Sequence, residues 1–173
     1  MKKQGKIISC MVAAGFMAMS SMTVPAYAGE WVQTESAAWK YVDQGVSSVG
    51  WQEIGDQWYY FDADGTMLTG WIQDPDRQNC WYYLNASGAW EQRPAMDDTA
   101  ACHLMENALI RANLYQNEDA QLVVLVEESS GSTIKVSART QDGPNSTSIL
   151  NYYEINKRTG AAKAAIGNDF MLY

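Results

Sequence analysis

Aromatic and apolar residues in the first half of the chain recur with a step of about twenty positions. Two tryptophan series mark this step: Trp31, Trp51 and Trp71, and then Trp39, Trp58 and Trp81. A fixed step of this length is typical of repeat proteins, in which each copy is one small structural unit. The sequence therefore predicts three copies between residues 30 and 93.

Each copy has the pattern of a β-hairpin. In the middle copy, the turn dipeptides Gly-Asp and Asp-Gly bracket the run WYYF. Alternation along a strand sends Trp58 and Tyr60 to one face and leaves Tyr59 and Phe61, our candidates for the core, on the other. Because an isolated hairpin cannot bury two aromatic faces, the hairpins are predicted to stack as a solenoid.

The pattern changes after Pro94, where the tryptophans stop. Apolar residues then recur at three- and four-residue spacing, which predicts a helix that is capped by Asp97 or Asp98 and ends near Leu114. Runs rich in Val, Ile and Tyr predict strands at 121–127, 133–140, 148–156 and 161–166. A helix followed by antiparallel strands indicates a small α+β layer, with the helix on one face of the sheet.

The N-terminal residues have the pattern of a secretory leader. Three lysines precede the apolar run 7–22, and Ala26-Tyr27-Ala28 provides the small residues that a signal peptidase requires. We therefore expect a signal peptide at 1–28, the repeats at 29–94 and a small α+β domain at 95–173. The predicted fold is mainly β: a hairpin solenoid followed by a helix on an antiparallel sheet. After cleavage, no membrane attachment is expected.

Charge and cysteine content narrow the function classes. The formal charge of −8 becomes −11 once the three leader lysines are removed, and such an acidic protein is a poor partner for nucleic acid or anionic lipid. Cys80 and Cys102 would share an oxidising exterior after export. They are candidates for one disulfide bond or for two separate buried thiols.

No catalytic constellation is visible. His103 is the single histidine, which excludes a two-histidine metal site, and we interpret it as a surface or packing residue of the helix. The sequence contains no G-x-S-x-G motif and no glycine-rich phosphate loop. We predict no enzymatic activity, no cofactor and no metal.

The repeat motif itself resembles a known family. Gly-Trp, then WYYF, then DGTMLTGW closely resembles the choline-binding or cell-wall-binding repeat of Gram-positive surface proteins, which also occurs in glucan-binding proteins. The resemblance implies ligand sites between consecutive hairpins and noncovalent retention on choline-bearing teichoic acid. It implies a secreted bacterial protein of the cell wall or cell surface that displays the C-terminal domain, which itself is a possible docking surface for another protein. A glucan ligand and a purely adhesive role are the alternatives.

The chemistry of choline agrees with an aromatic site. A quaternary ammonium has no N–H to donate, so selection depends on electron-rich ring faces and apolar contact. From the family pattern, we expect the best cage to combine Trp51 and Trp58 with Trp81, Tyr83 and Met67. A second cage would combine Trp31 and Trp39 with Trp58 or Tyr60, although Ser47 stands in its methionine position. Trp71 is the matching candidate of the third copy, where Trp90 replaces the methionine and no fourth copy follows.

Overall fold

Short strands joined by tight turns build the first part of the protein. The structure, a computed structural model, describes residues 29–115 and 121–173, and the predicted leader lies outside them. The strands form three separate antiparallel sheets, β1-β2-β3, β4-β5 and β6-β7. Their bounds are β1 (Glu30–Gln33), β2 (Trp39–Asp43), β3 (Val46–Ser47), β4 (Gly50–Ile54), β5 (Gln57–Phe61), β6 (Gly70–Gln73) and β7 (Trp81–Leu84).

Each sheet is one copy of the predicted hairpin. β4 and β5 are joined by Gly55 and Asp56, whose φ angles of 57° and 64° suit the two-residue turn that matches the twist of a hairpin. Single antiparallel bridges from Phe61 to Met67 and from Leu84 to Trp90 take the place that β3 holds in the first copy. The prediction of about three stacked hairpins is confirmed.

Backbone hydrogen bonds join successive copies. The amide of Met67 donates to the carbonyl of Trp39 at 2.8 Å, and the amide of Trp90 donates to the carbonyl of Trp58 at 2.7 Å. Gly88, with φ of 82°, lies so close under the Met67 thioether that a Cβ atom at this position would overlap the sulfur. Phe61 and Leu84 are fully buried inside the stack, so the prediction of a core position is confirmed for Phe61.

A helix and a five-stranded antiparallel sheet form the C-terminal part. Helix α1 spans Asp98–Arg111, and Asp97 caps it by accepting a hydrogen bond from the amide of Ala100 at 2.8 Å. The sheet order is β12-β11-β10-β9-β8. Its strands are β8 (Gln121–Ser129), β9 (Thr133–Gly143), β10 (Ser146–Asn156), β11 (Ala161–Ala164) and β12 (Phe170–Met171).

The observed sheet is longer than the predicted one. The polar loop expected between 140 and 148 is largely strand, because β9 and β10 continue to pair almost to the turn at 144–145. When both faces of a strand are open to solvent, its residues are polar throughout, and the sequence lacks the apolar alternation from which a strand is predicted. The short strand β12 was not predicted. The prediction that the helix packs on one face of the sheet is confirmed.

One face of this sheet and one side of α1 share an apolar core. Its largest fully buried members include Met105, Leu122, Ile134, Val136 and Ile155. The helix ends at Arg111, so Leu114 lies beyond it and is 58% exposed. Within the two described ranges, no helix has the length and apolar character needed to cross a bilayer.

Candidate functional site

Each hairpin carries the tryptophans of its two strands on one face. In the second hairpin, Trp51 lies directly opposite Tyr60, and Glu53 lies opposite Trp58. Opposed residues of an antiparallel pair share a face, and the first and third hairpins have the same register. We call this side the W face, which consists of Trp31, Trp39 and Tyr41 in the first hairpin, Trp51, Trp58 and Tyr60 in the second, and Trp71, Trp81 and Tyr83 in the third.

The W face of one hairpin is turned toward a tyrosine of the next. The rings of Trp31 and Tyr59 are 5.0 Å apart at 66°, and those of Trp51 and Tyr82 are 4.9 Å apart at 74°. Both are edge-to-face contacts of the kind that aromatic quadrupoles favour. The same contact thus occurs twice in the stack. We call the surface formed by Trp31, Trp39 and Tyr59 the first niche, and the surface formed by Trp51, Trp58 and Tyr82 the second niche.

The rings of both niches remain accessible to solvent. Trp31 is 37% exposed and Trp39 is 40% exposed, while Trp51, Trp58 and Tyr82 are half-buried. Near the second niche, the ring of Trp90 in the third hairpin is 6.4 Å from the ring of Tyr82. Partly exposed indole and phenol rings are side chains that can contact a cation carrying methyl groups.

Glu53 distinguishes the second niche electrostatically. This carboxylate is exposed and directly opposite Trp58 on the W face, whereas the equivalent positions of the other two hairpins are Gln33 and Gln73. A carboxylate beside ring faces strengthens the attraction of a cation. Sequence reasoning missed Glu53, although its alternation with Trp51 along β4 was a usable signal.

The structure corrects the predicted partners of Trp51 and Trp58. Trp81 and Tyr83 were expected to close this cage, but both lie on the W face of the third hairpin and point away from the second. The residue that meets Trp51 is Tyr82, from the opposite face of the third hairpin. The reason is the stacking direction, because each W face packs against the other face of the following hairpin.

The second predicted cage is corrected in the same way. Trp31 meets Tyr59, which we had placed in the core and which is only half-buried. Tyr60 instead packs against Trp51 of its own hairpin at 5.2 Å. Met67 lies between copies, with its side chain over Gly88, and its contact with choline methyl groups stays a prediction.

The W face of the third hairpin contacts helix α1. Its Trp71 packs on Tyr83 at 5.2 Å and on His103 of α1 at 4.9 Å, and Trp81 stacks on the same imidazole at 3.8 Å. The indole Nε1 of Trp81 donates to Glu106 at 2.6 Å. Trp71 and Trp81 therefore contact the C-terminal helix instead of a further repeat.

Cys80 and Cys102 are both thiols, so the disulfide considered from the sequence is not formed. The Cys80 sulfur lies within the third hairpin, 3.8 Å from the Tyr82 hydroxyl, whereas Cys102 packs at the core beneath the sheet. Burial, followed by the negative charges of Glu106 and Asp98, raises the pKa of Cys102 to about 11. A thiol with this pKa is a poor nucleophile at neutral pH.

Comparison with known proteins gives the family of the second and third hairpins. Residues 48–90 match the family model of the choline-binding repeat. This segment, which holds the second hairpin and most of the third, therefore belongs to the choline-binding repeat family. No curated protein matches the chain.

Solved structures with local similarity include two choline-binding proteins. Choline binding protein F from Streptococcus pneumoniae is 38% identical over 36% of this chain and 20% of its own, with a TM-score of 0.32. The choline binding domain of Spr1274 from Streptococcus pneumoniae is 30% identical over 35% of this chain and 89% of its own, with a TM-score of 0.31. The chain thus spans about a fifth of the length of the first of these proteins.

Proposed function

We propose that this protein is a secreted bacterial surface protein that is held noncovalently on choline-bearing cell-wall teichoic acid. The first and second niches are the proposed choline sites, and the α+β module is the part displayed. The observation that carries this proposal is the pairing of a two-tryptophan face with a tyrosine of the next hairpin, repeated at 5.0 and 4.9 Å in partly exposed niches. The family match of residues 48–90 supports the same ligand.

The proposed division of the chain is a signal peptide at 1–28, repeats at 29–94 and the α+β module at 95–173. The last bridge of the repeats ends at Trp90 and the helix begins at Asp98, which supports a junction near Pro94. The third hairpin contacts α1 closely, so we expect the two parts to fold as one unit.

Choline titration tests the ligand. We expect choline at roughly millimolar concentration to change the tryptophan fluorescence and to raise the melting temperature, because a ligand that binds only the folded form stabilises it. The protein should also bind a quaternary-amine resin and elute with free choline. If neither fluorescence nor melting temperature responds up to tens of millimolar choline, the proposal is wrong.

A variant identifies the niche. Tyr82→Leu removes the third wall of the second niche, and we expect the choline affinity of that niche to fall about 3- to 30-fold, as for the loss of one cation–π contact. Tyr152→Leu is the matched control, since Tyr152 is 45% exposed on the distant sheet. Equal affinity in the two variants would show that Tyr82 has a packing role only.

Two alternatives to choline binding are supported by features of the structure. A glucan could stack its sugar rings on the exposed indoles of Trp31 and Trp39, in which case a soluble glucan, rather than choline, would change the fluorescence. A partner-binding role would use the face of the sheet opposite the core, where strand β8 carries Leu125 at 42% exposure. Apolar side chains exposed on a surface can contact another protein.

A further inference from the structure

Helix α1 takes the place of a fourth hairpin. In the stack, the carbonyls of Trp39 and Trp58 accept hydrogen bonds from the amides of the next copy. At the equivalent Trp81, the side chain of Asn107 accepts from the backbone amide at 2.7 Å and donates to the backbone carbonyl at 2.8 Å. One carboxamide thus supplies the hydrogen bonds that a neighbouring strand would supply.

His103 takes the place of the next tyrosine and also fills the space between the tryptophans. Its ring is 4.9 Å from Trp71, the same spacing that Tyr82 has from Trp51. In addition, it lies nearly parallel to Trp81, at 3.8 Å and 25°. The two indoles therefore hold an imidazole where the other two hairpins leave an accessible niche.

The polar surroundings of His103 resemble those of a cation site. The Glu106 carboxylate is 3.9 Å from the imidazole Nδ1 and is itself 9% exposed. Buried Nδ1 has no hydrogen-bond partner among the described residues. The ring is therefore positioned by aromatic faces and a nearby carboxylate rather than by directed hydrogen bonds, as a bound quaternary ammonium would be.

We infer that Trp71, Trp81 and Glu106 form a third quaternary-ammonium niche that His103 closes from within the chain. This inference rests on the proposed choline binding of the first two niches. In the native protein, the third niche is an internal docking site that holds the α+β module on the solenoid. Without the imidazole, the niche has two indole faces and one carboxylate and accepts choline or tetramethylammonium.

Calorimetric counting of sites tests the latent niche. We expect His103→Ala to bind one more equivalent of choline than the unsubstituted protein, and His103→Ala/Trp71→Leu to lose that extra equivalent. His103→Phe keeps the niche filled and should not gain a site. Thr99→Ala, an exposed change on the same helix, is the control. An unchanged count in a folded His103→Ala protein would overturn the inference.

The unsubstituted protein provides a second test that does not depend on the folding of a variant. His103 is the only histidine, so a protein without a histidine tag gives one set of imidazole proton resonances. We expect these to be shifted upfield by the two indoles and to stay in place while choline saturates the other niches. Resonances at ordinary positions, or resonances that move there with choline, would contradict a closed third niche.

The two hypotheses fail in different ways. If the unsubstituted protein releases no heat with choline, the proposed function fails, whereas the imidazole resonances still show whether His103 lies between indoles. If the unsubstituted protein binds choline and His103→Ala gains no site, only the inference about the third niche fails.

Discussion

At the scale of residues, the protein separates aromatic rings that pack from rings that remain accessible. Phe61 is fully buried, whereas Trp39, which lies opposite Gln33 on the W face, is 40% exposed. Aromatic residues of these strands therefore either pack in the core or remain accessible, depending on the face of the strand that carries them. Ring faces supply most of the attraction for a methylated cation, and charge adds to it.

Glu53 is the residue whose charge we expect to matter. Glu53→Gln removes the carboxylate beside Trp58, and choline affinity of the second niche should fall about two- to fourfold at low salt. The difference should shrink as salt is added, because exposed charges are screened. Calorimetric titration at two salt concentrations measures both effects.

Glu154→Gln is the control for Glu53, since it removes the same charge from the sheet of the C-terminal part. Equal affinity for Glu53→Gln and Glu154→Gln would show that the carboxylate opposite Trp58 does not act on the ligand. A difference independent of salt would point to altered packing instead of charge.

Cys102 gives a pH dependence. Its pKa is raised from 9.0 to about 11, mainly by burial, so folding favours the neutral thiol. The resulting stabilisation is fully present below pH 9 and is lost as the pH rises through 11. We expect slow alkylation of Cys102 at pH 8 in the folded protein and fast alkylation in denaturant. Rapid labelling of the native protein would contradict this burial.

At the scale of elements, the hairpins are held in register by a turn that fits under the preceding copy. Gly88 of the third hairpin lies beneath Met67 of the second, and Gly65 of the second lies beneath Ser47 of the first, where a Cβ would be 2.7 Å from the serine Cβ. In both cases the turn glycine of one hairpin packs against the residue at the methionine position of the preceding hairpin.

Two glycines separate backbone strain from this packing. Gly88 and Gly70 have φ of 82° and 81°, but a Cβ at Gly70 meets no atom within 4 Å. Gly70→Ala should cost about 1 kcal/mol of unfolding free energy through φ alone, and Gly88→Ala about 1–2 kcal/mol more. Denaturant unfolding of both variants measures the difference.

The contact with Met67 should account for that difference. Met67→Ala/Gly88→Ala makes room for the new Cβ, so the cost of the Gly88 change should fall toward that of Gly70→Ala. If Gly88→Ala and Gly70→Ala lose the same stability, the Met67 side chain moves aside freely and does not fix the spacing of the hairpins.

At the scale of the whole molecule, solenoid and sheet are joined through α1. Asn107 and Glu106 contact the third hairpin on one side of the helix, while Asn79 of that hairpin donates to the Leu122 carbonyl on β8 at 2.8 Å. The side chains of Asn79 and Glu106 are buried in these contacts. The hairpins and the sheet should therefore unfold cooperatively.

Asn107→Ala tests this coupling. The substitution leaves the amide and carbonyl of Trp81 without their partner, and we expect a loss of about 2–3 kcal/mol. Thr99→Ala on the same helix should lose less than about 0.5 kcal/mol. Tryptophan fluorescence and circular dichroism should still report one shared transition in the native chain. Two separate transitions there would contradict the coupling.

Much of this fold was accessible from local pattern. The turn dipeptides, the WYYF alternation and the Asp97 cap depend on residues close in sequence, and the structure bears them out. The partner of Trp51 was not accessible in this way, because choosing Tyr82 over Trp81 requires the direction in which hairpins stack. The contact between Trp81 and Asn107 joins residues that are 26 positions apart, and no repeat pattern in the sequence predicts it.

The two ends of the hairpin stack are unlike. Val32, on the outer side of the first hairpin, is 38% exposed, whereas the last hairpin is committed to a helix of unique sequence. Duplication of a hairpin ahead of the last one would leave that junction intact and add one ligand niche each time. Under the proposed function, binding to a polymer with many choline groups would then strengthen with each added niche, and duplication of a hairpin would achieve this without any change in the α+β module.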